Sequence, residues 1–175
     1  MKTAIIPGSF DPITLGHVNI IERASKMFDK VYVAVMNNDS SKHSSALSSK
    51  KYMLEIQDRL ELVRLSVSHI ENVEAIASSG MLIDLFDELG ASAIVKGIRN
   101  ERDLEYELIH AKWNKEHNDR AETLLLPADE GLSAVSSTMV RELIAEERFD
   151  DLEKIMPPKA LEWIKNRRRV NVDLK

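Results

Sequence analysis

Three short segments of the chain concentrate groups that bind anions. The first is Pro7-Gly8-Ser9-Phe10-Asp11-Pro12-Ile13-Thr14-Leu15-Gly16-His17. Gly8 and Gly16 let the backbone approach a ligand closely, and Ser9 offers a hydroxyl and an N–H. His17 falls in the opening turn of a helix, where its imidazole shares a target with the helix's free N–H groups. A lone histidine at a helix start also has a purely structural use, and at this point both readings stand. No Gly-Lys-Ser/Thr follows, so this is not a Walker loop. The second segment runs from Val95 to Glu107, with Lys96 and Arg99 flanking Gly97 and Ile98. The two cations could clamp phosphates, Arg99 by a bidentate fork and Lys96 as a point charge. They could equally pair with Glu101, Asp103 or Glu107. The third is Gly131-Leu132-Ser133-Ala134-Val135-Ser136-Ser137-Thr138-Met139-Val140-Arg141-Glu142. Ser136 or Ser137 is a natural N-cap, and Glu142 lies too far along for the capping box that would fit Ser136. Capping explains one hydroxyl; three in succession suggest a nest of donors for an anion.

The elements that must position these segments are legible from periodicity. Short β-branched runs predict strands over Thr3–Ile6, Val31–Val35, Val73–Ile76, Ala93–Val95 and Thr123–Leu126. Between them lie apolar stripes of helical period. The first uses Ile20, Ile21, Ala24, Met27 and Phe28; the second Ile56, Leu60, Val63 and Val67; the third Leu82 to Leu89, stopped by Gly90. A fourth helix spans about Glu101 to His117, a fifth begins near Ser136, and a sixth follows Pro157-Pro158. Strands alternating with helices predict an α/β, Rossmann-like, doubly wound parallel sheet with C-terminal helices. In the strand order 3-2-1-4-5, the loops after the first, fourth and fifth strands open onto one crevice. All three donor-rich segments follow those strands.

The chain has 175 residues, which suits one domain over 1–175. It shows no internal repeat or domain-scale linker. Asp39–Lys51, rich in serine and lysine, reads as a long mobile surface loop, and 167–175, with Arg167-Arg168-Arg169, as a solvated tail. Hydrophobic residues at 43% and charged residues at 30% rule out wholesale disorder. The absence of cysteine excludes disulfides, thiol catalysis and thiolate metal sites. No apolar run approaches the ~20 residues of a membrane span, and no signal peptide opens the chain, so a cytoplasmic protein without membrane association is expected. A formal charge of −5 argues against a nucleic-acid-coating surface, but a local cation cluster can still bind a small anion.

With these residues in place, a family becomes recognisable. Thr14-Leu15-Gly16-His17 resembles the (H/T)xGH loop of the nucleotidylyltransferase superfamily, and Val135-Ser136-Ser137-Thr138-x-x-Arg141 is similar to its Ile-Ser-Ser-Ser/Thr-x-x-Arg/Lys hallmark. Lys96-Gly97-Ile98-Arg99, running on to Asp103-Leu104-Glu105-Tyr106-Glu107, looks like the central block of the bacterial phosphopantetheine adenylyltransferase family. The resemblance implies adenylyl transfer from ATP to 4′-phosphopantetheine, giving dephospho-coenzyme A and pyrophosphate with Mg²⁺ assisting. It implies that His17 stabilises the transition state and that Ser9 and Phe10 contact ATP, Ser9 also meeting the acceptor phosphate. Gly97, Ile98, Arg99, Glu107 and the loop Leu132, Ser133, Ala134, Val135, Ser136, Ser137, Thr138 would bind nucleotide, and Lys96 and Leu82 the pantetheine substrate.

The pattern is departed from in three places. Lys96 stands where the family usually has arginine, Leu132 where it often has a bulkier aromatic, and the stretch from Asn37 to Lys51 is longer than usual. The insertion leaves both Lys42 and Lys50 open for the family's substrate-binding lysine, with Lys42 preferred by its distance from the second strand. The family further implies a homohexamer and feedback by coenzyme A. Two other readings compete: a sister enzyme acting on nicotinate mononucleotide or a phosphorylated alcohol, and a non-catalytic nucleotide sensor. An acceptor panel separates the first, and ATP binding without product the second.

Overall fold

The computed structural model describes residues 1–37 and 51–173. Five strands, β1 (Thr3–Gly8), β2 (Lys30–Met36), β3 (Val73–Ser78), β4 (Ala93–Ile98) and β5 (Thr123–Pro127), form one sheet in the order β3-β2-β1-β4-β5. Every pairing is parallel, with Gly8 opposite Val35 and Lys96 opposite Leu125. The helices are α1 (Leu15–Ser25), α2 (Ile56–Val67), α3 (Leu82–Glu88), α4 (Glu101–His117), α5 (Ser137–Ala145), α6 (Phe149–Leu152) and α7 (Pro158–Asp173).

The two-residue period of the strands divides the core into two layers. Ala4 and Ile6 of β1, Val31, Val33 and Val35 of β2 and Val95 of β4 pack with α1, α2, α5 and α7. Their alternates Ile5, Ala34 and Ile94 pack on the other face with Phe86 of α3 and, partly buried, Trp113 of α4. The same alternation turns Lys96 toward α4 and Gly97 toward α1. A Cβ built on Gly97 would stand 2.9 Å from Ile20 Cγ1, so glycine is what lets α1 lie that close to β4.

The strand order and the doubly covered sheet are as the sequence predicts; the element ends differ in places. All five strands run further toward their carboxyl ends, because Gly8, Met36, Ser78, Gly97 and Pro127 join the ladder instead of breaking it. The first helix stops at Ser25, leaving Met27 exposed, and Gly90 ends α3 with φ +57°. Of the stretch expected as a tail, 167–175, the backbone through Asp173 continues α7, and Arg167 bonds Asp58 with its guanidinium 4.8 Å from the Trp163 ring centroid. The short helix α6 carries no periodic signal. The expected loop 39–51, all but its last residue, lies outside the described residues. No helix among those described is long and apolar enough to cross a membrane.

Candidate active site

At the carboxyl ends of β1, β4 and β5 the three segments close around one open pocket of about 480 Å³. Its walls include Gly8, Ser9, Phe10, Thr14 and His17 from the first loop, and Lys96, Gly97, Ile98, Arg99, Asp103, Tyr106 and Glu107 from β4 and α4. Leu132, Val135, Ser136, Ser137, Thr138 and Arg141 complete them. Ser133 and Ala134 lie beside this wall without lining it, and Leu82 packs under the sheet with Phe86, so the pocket does not contain it. Lys42 and Lys50 lie outside the described residues.

His17 is held by the start of its own helix. Thr14 is the N-cap of α1 and His17 its third residue; the Thr14 side chain accepts from the His17 N–H while His17 Nδ1 accepts from the Thr14 N–H at 3.0 Å. This reciprocal capping box fixes the tautomer. Nδ1 is an acceptor, so in the neutral ring the proton sits on Nε2. Burial, and then the charges of Arg99 and Lys96, push the His17 pKa from 6.5 down to about 4. At neutral pH the pocket therefore presents an uncharged Nε2–H donor. Phe10 buttresses the ring edge-on, with centroids 5.1 Å apart.

Phe10 lines the pocket as expected of a nucleotide contact, with its side chain turned inward. Its ring is buried and folds back over Gly8, whose Cβ would meet ring atoms at 2.9 Å, while its backbone takes φ +46°. A bulky residue held in the left-handed region marks an over-determined site. What Phe10 can offer a nucleotide is chiefly its main chain. The loop around it is braced from three sides. Arg59 Nη1 donates to the Ser9 carbonyl at 2.7 Å, Arg141 Nη1 to the Asp11 carbonyl at 2.7 Å and Ser137 Oγ to the Pro12 carbonyl at 2.8 Å. The buried Asp11 carboxylate accepts the N–H groups of Met53 and Leu54.

The cations are already paired. Arg99 gives Nε and Nη2 to Asp103 at 2.7 and 3.1 Å, and Lys96 meets Glu107 at 3.2 Å. Burial alone would raise the Asp103 carboxyl; the hydrogen bonds and charge of Arg99 outweigh it and hold the group below its ordinary range. The guanidinium fork expected to grip phosphate thus grips Asp103. Of the two sequence readings, the pairing with acidic neighbours is what is seen, and the pairs form inside the pocket.

The three hydroxyls are also engaged. Ser136 is the N-cap, accepting from Met139 N–H; Ser137 donates to Pro12; Thr138 accepts from Arg141 Nη2 at 3.0 Å. Ser136 and Thr138, being acceptors here, retain a proton to donate. Thr14, Asp103, Tyr106 and Arg141 join the pocket beyond the expected binding set. Thr14 and Asp103 had a local signal, three residues before His17 and four after Arg99.

Comparison with known proteins agrees with this geometry. A model of the cytidylyltransferase-like family matches residues 5–143. The chain is 40% identical over 171 residues to a phosphopantetheine adenylyltransferase of Actinobacillus succinogenes, covering 98% of this chain and 99% of that one. It is 39% identical over 158 residues to one of Psychromonas ingrahamii, covering 90% and 91%. Among solved structures, a protein of Vibrio parahaemolyticus provisionally described as a nicotinate-nucleotide adenylyltransferase superposes with TM-score 0.67 at 21% identity, covering 93% of this chain and 98% of that one. A lipopolysaccharide core biosynthesis protein of Thermoplasma volcanium gives 0.51 at 18%, covering 74% and 97%. At these identities the two structures speak for the fold alone. The relatives matched over nearly their whole length decide the assignment: the chain belongs to the cytidylyltransferase-like family and, within it, to the phosphopantetheine adenylyltransferases.

Proposed function

We propose that the pocket transfers the adenylyl group of ATP to 4′-phosphopantetheine. A phosphate oxygen of the acceptor attacks the α-phosphorus in line; the bond from that phosphorus to the bridging oxygen of the β-phosphate breaks, and pyrophosphate leaves with the electron pair. No covalent enzyme intermediate is needed, so the protein's work is to hold two anions together and to stabilise charge as it develops. His17 donates Nε2–H to the α-phosphoryl oxygens. Lys96, Arg99 and Arg141 surround the phosphates, with Asp103 and Glu107 keeping the first two cations in place. Ser136 and Thr138 offer hydroxyl protons. The observation that carries the reading is that His17, Lys96, Arg99 and the 132–138 loop share one pocket.

The family resemblance brings Mg²⁺ with it. Among the described residues no cluster of His, Asp and Glu could hold a metal, and the pocket's Asp103 and Glu107 are each paired to a cation. These residues do not fit a resident magnesium site. We propose that the ion enters on the nucleotide's phosphate oxygens as part of the substrate, keeping most of its waters.

Assembly is proposed as a homohexamer. The support is that apolar side chains of α4, Leu108 and Ile109, and Leu124 of the edge strand β5 are exposed. Feedback by coenzyme A is proposed at the same pocket, because it carries the pantetheine arm of the product, and a cytoplasmic setting supplies the ATP. The test is pyrophosphate release from ATP with 4′-phosphopantetheine, nicotinate mononucleotide and a phosphorylated alcohol as parallel acceptors. Release with the first alone is expected. Release with either of the others and none with the first overturns the assignment.

A further inference from the structure

Arg59 heads the large side chains that are fully buried, at 1% exposure, and it does not line the pocket. Its guanidinium meets neutral acceptors from three separate segments. Nη1 donates to the Ser9 carbonyl at 2.7 Å and to the Met36 carbonyl at 3.4 Å, Nη2 to Asn37 Oδ1, and Nε to the Leu54 carbonyl at 3.1 Å. One face lies 4.3 Å from the Tyr52 ring centroid. Among the described residues it forms no ion pair of its own; Asp11 and Glu55 are nearby charges, not bonded partners.

Burying a cation against neutral acceptors is a poor way to gain stability, since its desolvation is repaid only in part and an apolar side chain of like volume packs without that penalty. What this guanidinium does is geometric. It ties the loop after β1, the end of β2 and the turn before α2 into one unit, and β1 and β2 are neighbours with Gly8 opposite Val35. Asp11 ties the same turn from the other side through Met53 and Leu54. In a trans peptide the carbonyl and the following N–H point in opposite directions. Anchoring the Ser9 carbonyl to Arg59 in the interior therefore sends the Phe10 N–H to the other side of the loop, where Ser9 and Phe10 line the pocket.

We propose that Arg59 is a positioning residue which, through the Ser9 carbonyl, aims the Phe10 N–H and the Ser9 side chain at a bound phosphate group. The inference rests on the adenylyl-transfer reading for its chemistry and on geometry for its substance. Positioning of a donor is felt in the transition state more than in ground-state binding, so kcat carries the loss.

The test uses Arg59→Lys and Arg59→Met in the full chain, with two readouts. The first is steady-state kinetics with ATP and 4′-phosphopantetheine. Arg59→Met should lower kcat by about tenfold or more, with KM for ATP within about threefold, and Arg59→Lys should recover part of it. The second is the amide resonance of Phe10 on titration with inorganic pyrophosphate: it should shift in the unsubstituted protein and lose that response in Arg59→Met. Wild-type kcat and an unchanged Phe10 response in folded variants overturn the proposal, as does a loss of activity that merely tracks the unfolded fraction. Should Arg59→Met fail to fold, Arg59→Lys carries the test alone, and wild-type behaviour in both readouts sinks the idea. If the unsubstituted protein shows the Phe10 response but no turnover, the functional reading fails and the positioning role stands.

Discussion

Protonation of His17 offers the sharpest quantitative test, because the structure says both how far it is suppressed and why. The fall of its pKa from 6.5 to about 4 means the imidazolium is disfavoured by about 3 kcal/mol relative to water. Removal from water is the largest cause, followed by repulsion from Arg99 and then Lys96. A local constraint acts the same way: the second proton must enter at Nδ1, which already accepts the Thr14 N–H. At pH 6 the ring should be about 1% protonated, against about three-quarters for an unperturbed histidine. Long-range ¹H–¹⁵N spectra of the imidazole, assigned by loss of signal in His17→Ala, report both tautomer and titration. An Nε2–H tautomer and a midpoint near 4 are expected, with Arg99→Gln raising the midpoint only part of the way because burial remains. The linkage has a definite sign. Below pH 6.5 the unfolded chain takes up a proton that the folded chain refuses, so this group's share of stability is complete above 6.5, erodes as pH falls, and levels off below 4. A midpoint above about 6, or an Nδ1–H tautomer, would refute the neutral-donor reading and with it the capping-box argument.

Other consequences can be checked more briefly. His17→Ala should lower kcat by about two to three orders of magnitude, the scale of one lost transition-state donor, with a smaller change in ATP affinity by calorimetry. Gly97→Ala drives a methyl to 2.9 Å from Ile20 Cγ1 and should destabilise by about 1–3 kcal/mol in urea titration, with a positive coupling to Ile20→Ala, which removes that Cγ1, in a double-mutant cycle. Gly8→Ala clashes with the Phe10 ring at 2.9 Å, so its destabilisation should shrink in a Phe10→Ala background, giving a coupling of about 0.5–3 kcal/mol in a double-mutant cycle. Additive effects there would mean that the ring and Gly8 do not confront each other.

The sheet and the convergence of the three loops were legible because both depend on patterns short in sequence: alternation within strands, helical stripes between them, and donor-rich turns at strand ends. What those patterns could not convey is which partner each donor takes. Lys96 and Arg99 read equally as phosphate clamps or surface pairs, and only the turn of β4 that sends Lys96 toward α4 shows that their carboxylate pairs lie in the pocket and not on an outer surface. The serine triplet read as a nest, yet Ser137 spends its proton on Pro12, more than a hundred positions away. Phe10 read as a ligand contact, but nothing in the sequence said that its ring turns inward against His17 and Gly8. Arg59 left no trace at all, since an arginine amid Asp58, Leu60 and Glu61 looks like any exposed helical position until Ser9, Met36 and Leu54 are seen around it.

These partnerships share a logic. Of the charged groups lining the pocket, three cations face two carboxylates, so the pocket without ligand is close to balanced and its long side chains are held in place. An unpaired cluster of cations would bind any polyphosphate and would relax toward solvent between turnovers. A cluster tethered to Asp103 and Glu107 attracts less strongly but keeps its geometry, and preorganised donors stabilise developing charge better than mobile ones. The neutral His17 fits the same scheme. As an imidazolium it would repel Arg99 and Lys96 and break with Thr14; as an Nε2–H donor it stays put and, in the proposed reaction, would gain strength only as charge accumulates on the phosphoryl oxygens. Ground-state attraction is thereby traded for selectivity toward the transition state, which is the direction a transfer enzyme requires.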